Sequence, residues 1–389
     1  MKKVLFVIRD MKLGGPATSL LNMLEMLKAE GVETNLFLME HTGIFLERAK
    51  KASNLLPENK FLAVNICDAN RVKKDYGLLG IFYRGIFSIL KRIKGQKNLR
   101  QMVFENAAQK IKGFDVVMPY QESMTTDFGV NIKAEKKIAW VHTIYEKFTM
   151  NYTPDQIYNT YKNFDKIACV IEAGADAFKK GQPKLSDKVV VVNNPLNTED
   201  IIKKSKEDVS LDKGFKIVSV GRLSKEKCYE RCIEAAAKLK NNGFAFKWYI
   251  IGEGAERKKL EDLIEKSKLG EAVKLFGAKE NPYSIIKKCD VLVISSAYEA
   301  QPMVANEALV LGVPVVSTDY ASAHQIIKNN ENGLICENNT EGIYNALEKL
   351  LSDEAFIMSL KEGAKAFEYN NKSVINKTLD LINGEQNGQ

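Results

Sequence analysis

The chain repeats one rhythm twice: a short apolar run, a loop, a helical pattern, then another apolar run. Strand-like runs lie at Lys3 to Ile8, Thr34 to Met39, Val116 to Met118, Lys137 to Val141, Lys166 to Ile171 and Lys188 to Val192. The rhythm restarts at Phe215 to Val220 and continues through Phe246 to Ile251, Val273 to Phe276, Val291 to Ile294 and Val313 to Val316. Helical patterns fill the gaps, among them Thr18 to Lys28, Ala255 to Lys268, Pro282 to Lys288 and Met303 to Leu311. Such alternation packs as parallel sheets with helices on both faces. At 389 residues the chain exceeds what one hydrophobic core supports. The expectation is an α/β protein of two Rossmann-like, doubly wound domains, 1–195 and 214–365. A polar, aperiodic stretch at about 196–213 reads as the linker between them.

No run of about 20 apolar residues occurs, so no membrane span is expected. The N-terminal Met1-Lys2-Lys3 enters a strand too short for a secretory signal, which points to a cytoplasmic protein. Six scattered cysteines read as buried thiols of a reducing compartment. Cys228 and Cys232 lie four apart on a helix with no His or acidic cluster to join them as metal ligands.

The net charge of +8 sits in one place. Residues 71–112 hold 11 Lys and Arg against 2 Asp and Glu, so the remainder is nearly neutral. Within that segment Leu78 to Lys94 is apolar and aromatic, with Arg84, Lys91, Arg92 and Lys94 interspersed. Leu79, Phe82, Ile86, Ile89, Leu90 and Ile93 share a helical face. One reading is a basic amphipathic helix resting on an anionic membrane. The other is a core-facing helix with solvated lysines. Basic charge also suits nucleic acid, but no such module is recognisable, so none is expected as a partner.

Ser296 to Thr318 reads S-A-Y-E-A-Q-P-M-V-A-N-E-A-L-V-L-G-V-P-V-V-S-T. Glu299 falls in the loop leaving an apolar strand, Pro302 suits a first helical turn, and Glu307 falls one turn into that helix. A strand–loop–helix unit puts acceptors and free backbone N–H groups, here of Met303 and Val304, at the carboxyl edge of a sheet, where ligands of open α/β folds bind. Acceptors suit hydroxyls and N–H groups suit phosphate, which describes a nucleotide-sugar site. Gly14-Gly15 after the first strand is not a dinucleotide fingerprint. It reads as a tight turn that lets the backbone approach a ligand.

The Glu–seven residues–Glu pattern, with Ser296, Tyr298, Ala308, Gly312 and Pro314-Val315-Val316 around it, resembles the signature of retaining glycosyltransferases of the GT-B fold, glycosyltransferase family 4 in particular. Gly221-Arg222-Leu223 through Lys227 is similar to that family's G-R-L–x–x–x–K motif. The resemblance implies that Arg222 and Lys227 neutralise a departing nucleoside diphosphate, and pre-organised cations there lower the barrier. It implies that Glu307 accepts from ribose hydroxyls, that Glu299 faces the transferred sugar, and that the N–H groups near Met303 and Val304 hold phosphate. Gly14, Gly15 and Gly221 would border the donor. Gly252 and Gly254 read as turn residues, Gly252 near the base. His142 in Ala139-Trp140-Val141-His142-Thr143 resembles the family's histidine beside the sugar, but Ile144 stands where relatives often carry Asp. Glu122 and Ser123, after the third first-half strand, point the same way. Ala300 and Gln301-Pro302 depart from the commoner Gly and Phe-Gly. The last helix, from about 366 to 389, would cross back onto the first domain.

The expected activity is retaining transfer of a hexose or hexosamine from a nucleoside-diphosphate sugar, uridine being what the resemblance implies. The expected acceptor is a lipid-linked glycan or a cell-surface polysaccharide such as a capsule, reached from the inner face of the membrane. With no Asp-x-Asp pair to ligate a divalent ion, no essential metal and no other cofactor is expected. Two alternatives share the fold: a sugar-nucleotide epimerase, and a non-catalytic glycan- or membrane-binding relative.

Overall fold

The computed structural model describes residues 2–12 and 14–384. The chain forms two compact units, Met1–Pro195 with Asn371–Gln389, and Leu196–Asn370. The first holds seven strands, β1 (Val4–Ile8), β2 (Thr34–Leu38), β3 (Asn54–Leu55), β4 (Val116–Pro119), β5 (Lys136–Val141), β6 (Lys166–Cys169) and β7 (Val189–Val191). Their order is β3-β2-β1-β4-β5-β6-β7, every pair parallel. Val4 lies opposite both Thr34 and Val116. All five residues of β1 are buried, because helices cover both faces and leave no side for polar residues.

The second unit holds β8 (Phe215–Val220), β9 (Phe246–Ile251), β10 (Val273–Gly277), β11 (Val291–Ile294), β12 (Val315–Thr318) and β13 (Gly333–Cys336), in the order β10-β9-β8-β11-β12-β13. Its centre is fastened by a buried polar chain. Trp248 Nε1 donates to Ser219 Oγ at 3.1 Å, and Ser219 Oγ donates to the Val293 carbonyl at 2.8 Å. Three strands are thereby tied, and the indole N–H is satisfied inside an apolar core. Both units show the doubly wound order anticipated from the alternation, with the unit's first and fourth strands adjacent at mid-sheet.

Three expectations need correction. The stretch 196–213 is not a linker. It contains the helix Thr198–Ser205, capped by Asn197, whose side chain accepts from the Asp200 N–H at 3.0 Å. Ile201 and Leu196 are buried in the second unit, and Tyr249 donates to Asp212 at 2.9 Å. One buried residue on an eight-residue helix is too little pattern to read. Strands β3 and β13 were not anticipated, the one having two residues and the other following a polar loop. The last helix spans Asn371–Asn383 rather than starting near 366. It buries Val374, Ile375, Leu381 and Ile382 and contacts the helix Gly15–Ala29 within the first unit. The remainder of that expectation, 385–389, lies outside the described residues.

The basic segment forms the helix Ala69–Lys94, interrupted at Gly77 (φ 58°, ψ −148°), a left-handed geometry that glycine adopts without strain. Before the break, Arg71 is clamped. Its Nη1 meets Glu40 at 2.6 Å, its Nε meets Asp75 at 3.0 Å and its Nη2 meets Glu58 at 3.5 Å. After the break the helix buries only Gly80 and Phe87. Leu78 is 86% exposed, Phe82 62%, Ile89 61% and Ile93 73%, so the apolar stripe faces solvent and the core-facing reading fails. Arg84 leaves the basic face as well. Its Nη1 donates to the Cys67 carbonyl at 2.5 Å, on the packed side, while Lys91, Arg92 and Lys94 stay exposed. No helix among the described residues is long and apolar enough to cross a membrane.

If 196–213 is part of the second unit, Ile201→Ala should cost about 2–5 kcal/mol, as buried aliphatic truncations do. A change in a solvated linker would stay within about 0.5 kcal/mol. Urea unfolding followed by Trp248 fluorescence distinguishes the two.

Candidate functional site

Where two adjacent parallel strands send their chains to opposite faces of a sheet, the loops diverge and leave a crevice. In the second unit those strands are β8 and β11. The loop after β8 is Gly221 to Cys228, and the loop after β11 is Ser295 to Pro302. They are lashed together: the Ala297 N–H donates to the Glu226 carbonyl at 2.9 Å, and Ser295 Oγ donates to the Lys227 carbonyl at 2.7 Å. This brings the Lys227 ammonium onto Glu299 as an ion pair, with the two side chains 25% and 15% exposed. Ser296 Oγ donates to the same carboxylate oxygen at 2.6 Å, and Ser322 Oγ holds the Glu299 carbonyl at 2.8 Å. Arg222 lies exposed on the same loop and makes no ion pair among the described residues.

The expected duties of Lys227 and Glu299 were separate, one toward phosphate and one toward sugar. The structure couples them. Each neutralises the other at a partly desolvated point, where a charge pair is stronger than in water.

Glu307 is the fifth residue of the helix Met303–Val310 and is buried. Its one side-chain partner among the described residues is Tyr283, whose hydroxyl donates to Oε1 at a long 3.4 Å. Burial pushes this carboxyl up to about 7, against an ordinary 4.5, and the tyrosine offsets only part of that. Beside it Asn306 Nδ2 is buried without a partner. Pro302 is the N-cap of this helix rather than its first residue, so the N–H groups of Met303 and Val304 are first-turn donors with no intrahelical acceptor. Asn306, Tyr283, Ser296 and Ser322 were not singled out from the sequence.

The glycines divide into two kinds. A Cβ on Gly252 would lie 1.8 Å from the Gly221 carbonyl oxygen, and one on Gly254 would lie 2.2 Å from that of Leu223. Both are therefore required by backbone packing of the β8 loop on the β9 loop, as turn residues. Gly14 and Gly15 are different. Gly14 is extended, caps the helix Gly15–Ala29, and neither position meets any atom within 4 Å of an added Cβ. No neighbour among the described residues forbids a side chain there. Leu13 lies outside the described residues.

Gly14, Gly15 and His142 belong to the first unit, while Arg222, Lys227, Glu299 and Glu307 belong to the second. His142 follows β5. Its backbone N–H donates to Glu122 Oε2 at 2.9 Å, so the nearby carboxylate secures the main chain. The ring lies 5.1 Å from Tyr120, and its Nε2 is buried with no partner. Burial drives its pKa down to about 3, which makes it a neutral imidazole at any physiological pH rather than a proton donor. Burial likewise raises Glu122. Among the described residues no group of three or more His, Cys, Asp or Glu side chains is placed to hold a metal ion.

Residues 200–373 match the family of glycosyl transferases group 1. The chain is 35% identical over 187 residues to N-acetylgalactosamine-N,N'-diacetylbacillosaminyl-diphospho-undecaprenol 4-alpha-N-acetylgalactosaminyltransferase of Campylobacter jejuni, covering 46% of this chain and 50% of that protein. It thus spans about half of that relative's length. An uncharacterized glycosyltransferase of Methanocaldococcus jannaschii is 25% identical over 320 residues, covering 80% of this chain and 81% of that one. The structure of Anabaena HepE with UDP and glucose superposes with a TM-score of 0.74 at 15% identity, over 99% of this chain and all of that one. Two parallel doubly wound units of this order define the GT-B class. The chain has that fold, and nearly the whole of its second unit matches the group 1 glycosyl transferase family.

A carboxyl raised by burial makes the native state bind more protons than the unfolded one between about 4.5 and about 7, so stability falls as pH rises through that window. Glu307→Gln should therefore raise Tm at pH 8, with the gain vanishing near pH 4.5. Thermal melts across pH check this, and a gain independent of pH would exclude a buried titrating carboxyl.

Proposed function

We propose that the chain is a retaining glycosyltransferase moving a hexose or hexosamine from a nucleoside-diphosphate sugar, with UDP as carrier, to a lipid-linked or cell-surface glycan. The observation that carries this reading is the pairing of Lys227 with Glu299 at the crevice of β8 and β11, with the desolvated Glu307 on the next helix. Transfer breaks the bond from the anomeric carbon to the diphosphate oxygen and forms one to the acceptor oxygen. Negative charge grows on the departing diphosphate, and Arg222, Lys227 and the N–H groups of Met303 and Val304 are the donors and cations that meet it. As that charge arrives, Lys227 shifts its pairing from Glu299 toward phosphate. Glu299, still held by Ser296, is then left to accept from sugar hydroxyls. Glu307 accepts from the ribose, whose hydroxyls supply the donors that Tyr283 alone does not. The acceptor proton passes to the leaving phosphate oxygen, which needs no side-chain base and suits a neutral His142. Cations and helix N–H groups carry the diphosphate in this reading, without an essential metal.

The relatives support the substrate class. The Campylobacter protein named above is an N-acetylgalactosaminyltransferase whose glycan is linked through diphosphate to undecaprenol, and HepE is described in complex with UDP and with UDP-glucose. The exposed apolar stripe ending in Lys91, Arg92 and Lys94 supports peripheral association with the cytoplasmic face of an anionic membrane, where such acceptors are anchored.

Arg222→Ala with Lys227→Ala should lower turnover of labelled UDP-sugar at least about 10²-fold in a chain that still folds, by analogy with other pre-organised charge stabilisers. Turnover like that of the native chain, abolition by a chelator, or release of epimerised donor without acceptor would each overturn the reading. For the membrane part, Lys91, Arg92 and Lys94 replaced together by Glu should abolish co-sedimentation with vesicles of anionic lipid. Undiminished sedimentation counts against it.

A further inference from the structure

The first unit contains a cavity of about 1340 Å³ that the transfer chemistry above does not use. It exists because the chain after β4 makes a helix of only six residues, Met124–Gly129, between two longer ones, Gln96–Ala108 and Pro154–Tyr161. The short helix fills part of the space between its neighbours and leaves a groove. One end of that groove reaches Arg9 and Glu122, just past β1 and β4 at the carboxyl edge of the sheet, and the other reaches Asn163.

Three features make this more than a gap. Its size exceeds the roughly 300–1,000 Å³ of single small-molecule pockets. Its wall carries many side chains that donate and accept at once, amides of Gln121, Asn151 and Asn159 and hydroxyls of Tyr152 and Thr160, beside apolar Phe104, Met124 and Val130. And it contains a carboxyl held ready: Tyr152 donates to Asp127 Oδ2 at 3.1 Å and Thr160 donates to Oδ1 at 3.3 Å. Burial raises the pKa of Asp127, and the carboxyl in turn helps push the Tyr152 phenol up to about 12, behind burial itself. Ser123, on the same wall, holds φ 68° and ψ −121°, a strained conformation for a residue with a Cβ, of the kind kept at ligand sites. Lys97 and Arg100 stand at one rim, make no ion pair among the described residues, and are close enough to influence Asp127 electrostatically.

We infer that this groove binds an oligosaccharide, several sugars long and acidic, whose hydroxyls meet Asp127, Tyr152, Thr160 and the amides while its anionic substituents meet Lys97 and Arg100. Hydroxyls both donate and accept, so a wall of amides, phenol and carboxyl satisfies them where an apolar ligand would leave those groups unpaired. Resting on the glycosyltransferase reading, the bound stretch is the already-built part of the acceptor glycan. The groove then adds affinity along the chain while transfer is carried out elsewhere.

Saturation-transfer NMR on the full chain without nucleotide tests it, with hyaluronan hexasaccharide as acidic probe and maltohexaose as neutral probe. The acidic probe should bind the native protein, and Asn159→Trp, which fills the groove from an exposed position, should abolish the signal. Lys97→Glu with Arg100→Glu should weaken binding at least about tenfold, the scale of a lost charge-assisted contact. No transfer to either probe, or binding undiminished in Asn159→Trp, overturns the site. Equal binding of the two probes overturns the role of Lys97 and Arg100. The UDP-induced Tm shift, read on the same variants, should be unchanged. A chain that binds the hexasaccharide but shows no UDP shift sinks the nucleotide-sugar reading and leaves the groove standing.

Discussion

The second unit is organised by the contact between two neighbouring strands whose continuations leave in opposite directions. Everything chemical in it follows from the adjacency of β8 and β11. Without it Lys227 and Glu299, 72 residues apart, would not meet, and the Ser295 and Ala297 contacts that lash the loops would not exist. The Trp248–Ser219–Val293 chain ties β8 to both of its neighbours in the sheet. A polar chain buried there costs desolvation, but every donor in it is answered, so it specifies the strand order rather than weakening it.

Each unit also holds polar groups that the fold leaves short of partners. Glu307 has one long hydrogen bond, Asn306 Nδ2 has none, and His142 Nε2 in the first unit has none. A folding optimum would replace them, because a desolvated polar group without partners destabilises by about 1–3 kcal/mol. Their retention is the usual mark of a site built for a ligand instead of for stability. His142 has no acidic partner at its ring, and its neutral state follows from burial rather than from any neighbour.

How much of this could be read from the residues depends on range. Strands such as Phe215–Val220, Phe246–Ile251 and Val291–Ile294 were legible to the residue because a buried parallel strand is an apolar run with turn residues at both ends. Arg222, Lys227, Glu299 and Glu307 were singled out by motif, and all four lie in one unit. Tyr283 and Ser322 were not, since each becomes relevant only through a partner brought near by the fold. Helix Thr198–Ser205 was mistaken for a linker because only one of its eight residues is fully buried. Arg84 was mistaken for a surface charge because nothing in its neighbourhood marks the Cys67 carbonyl as its acceptor. The groove over Met124–Gly129 was invisible: it results from the difference in length between three helices, not from any local pattern.

The stripe from Leu78 to Ile93 has a consequence for how copies of this chain behave toward one another. Such a stripe, left in water, drives molecules to stick face to face. The same segment, however, carries almost the whole positive excess of the chain, and two copies approaching stripe to stripe also bring the exposed Lys91, Arg92 and Lys94 of one against those of the other. Adhesion is thus opposed by repulsion at short range between these three cations of each copy, and raising the salt screens the repulsion but not the adhesion. Colloidal behaviour should accordingly invert the common rule, with clumping promoted by salt and suppressed in dilute buffer.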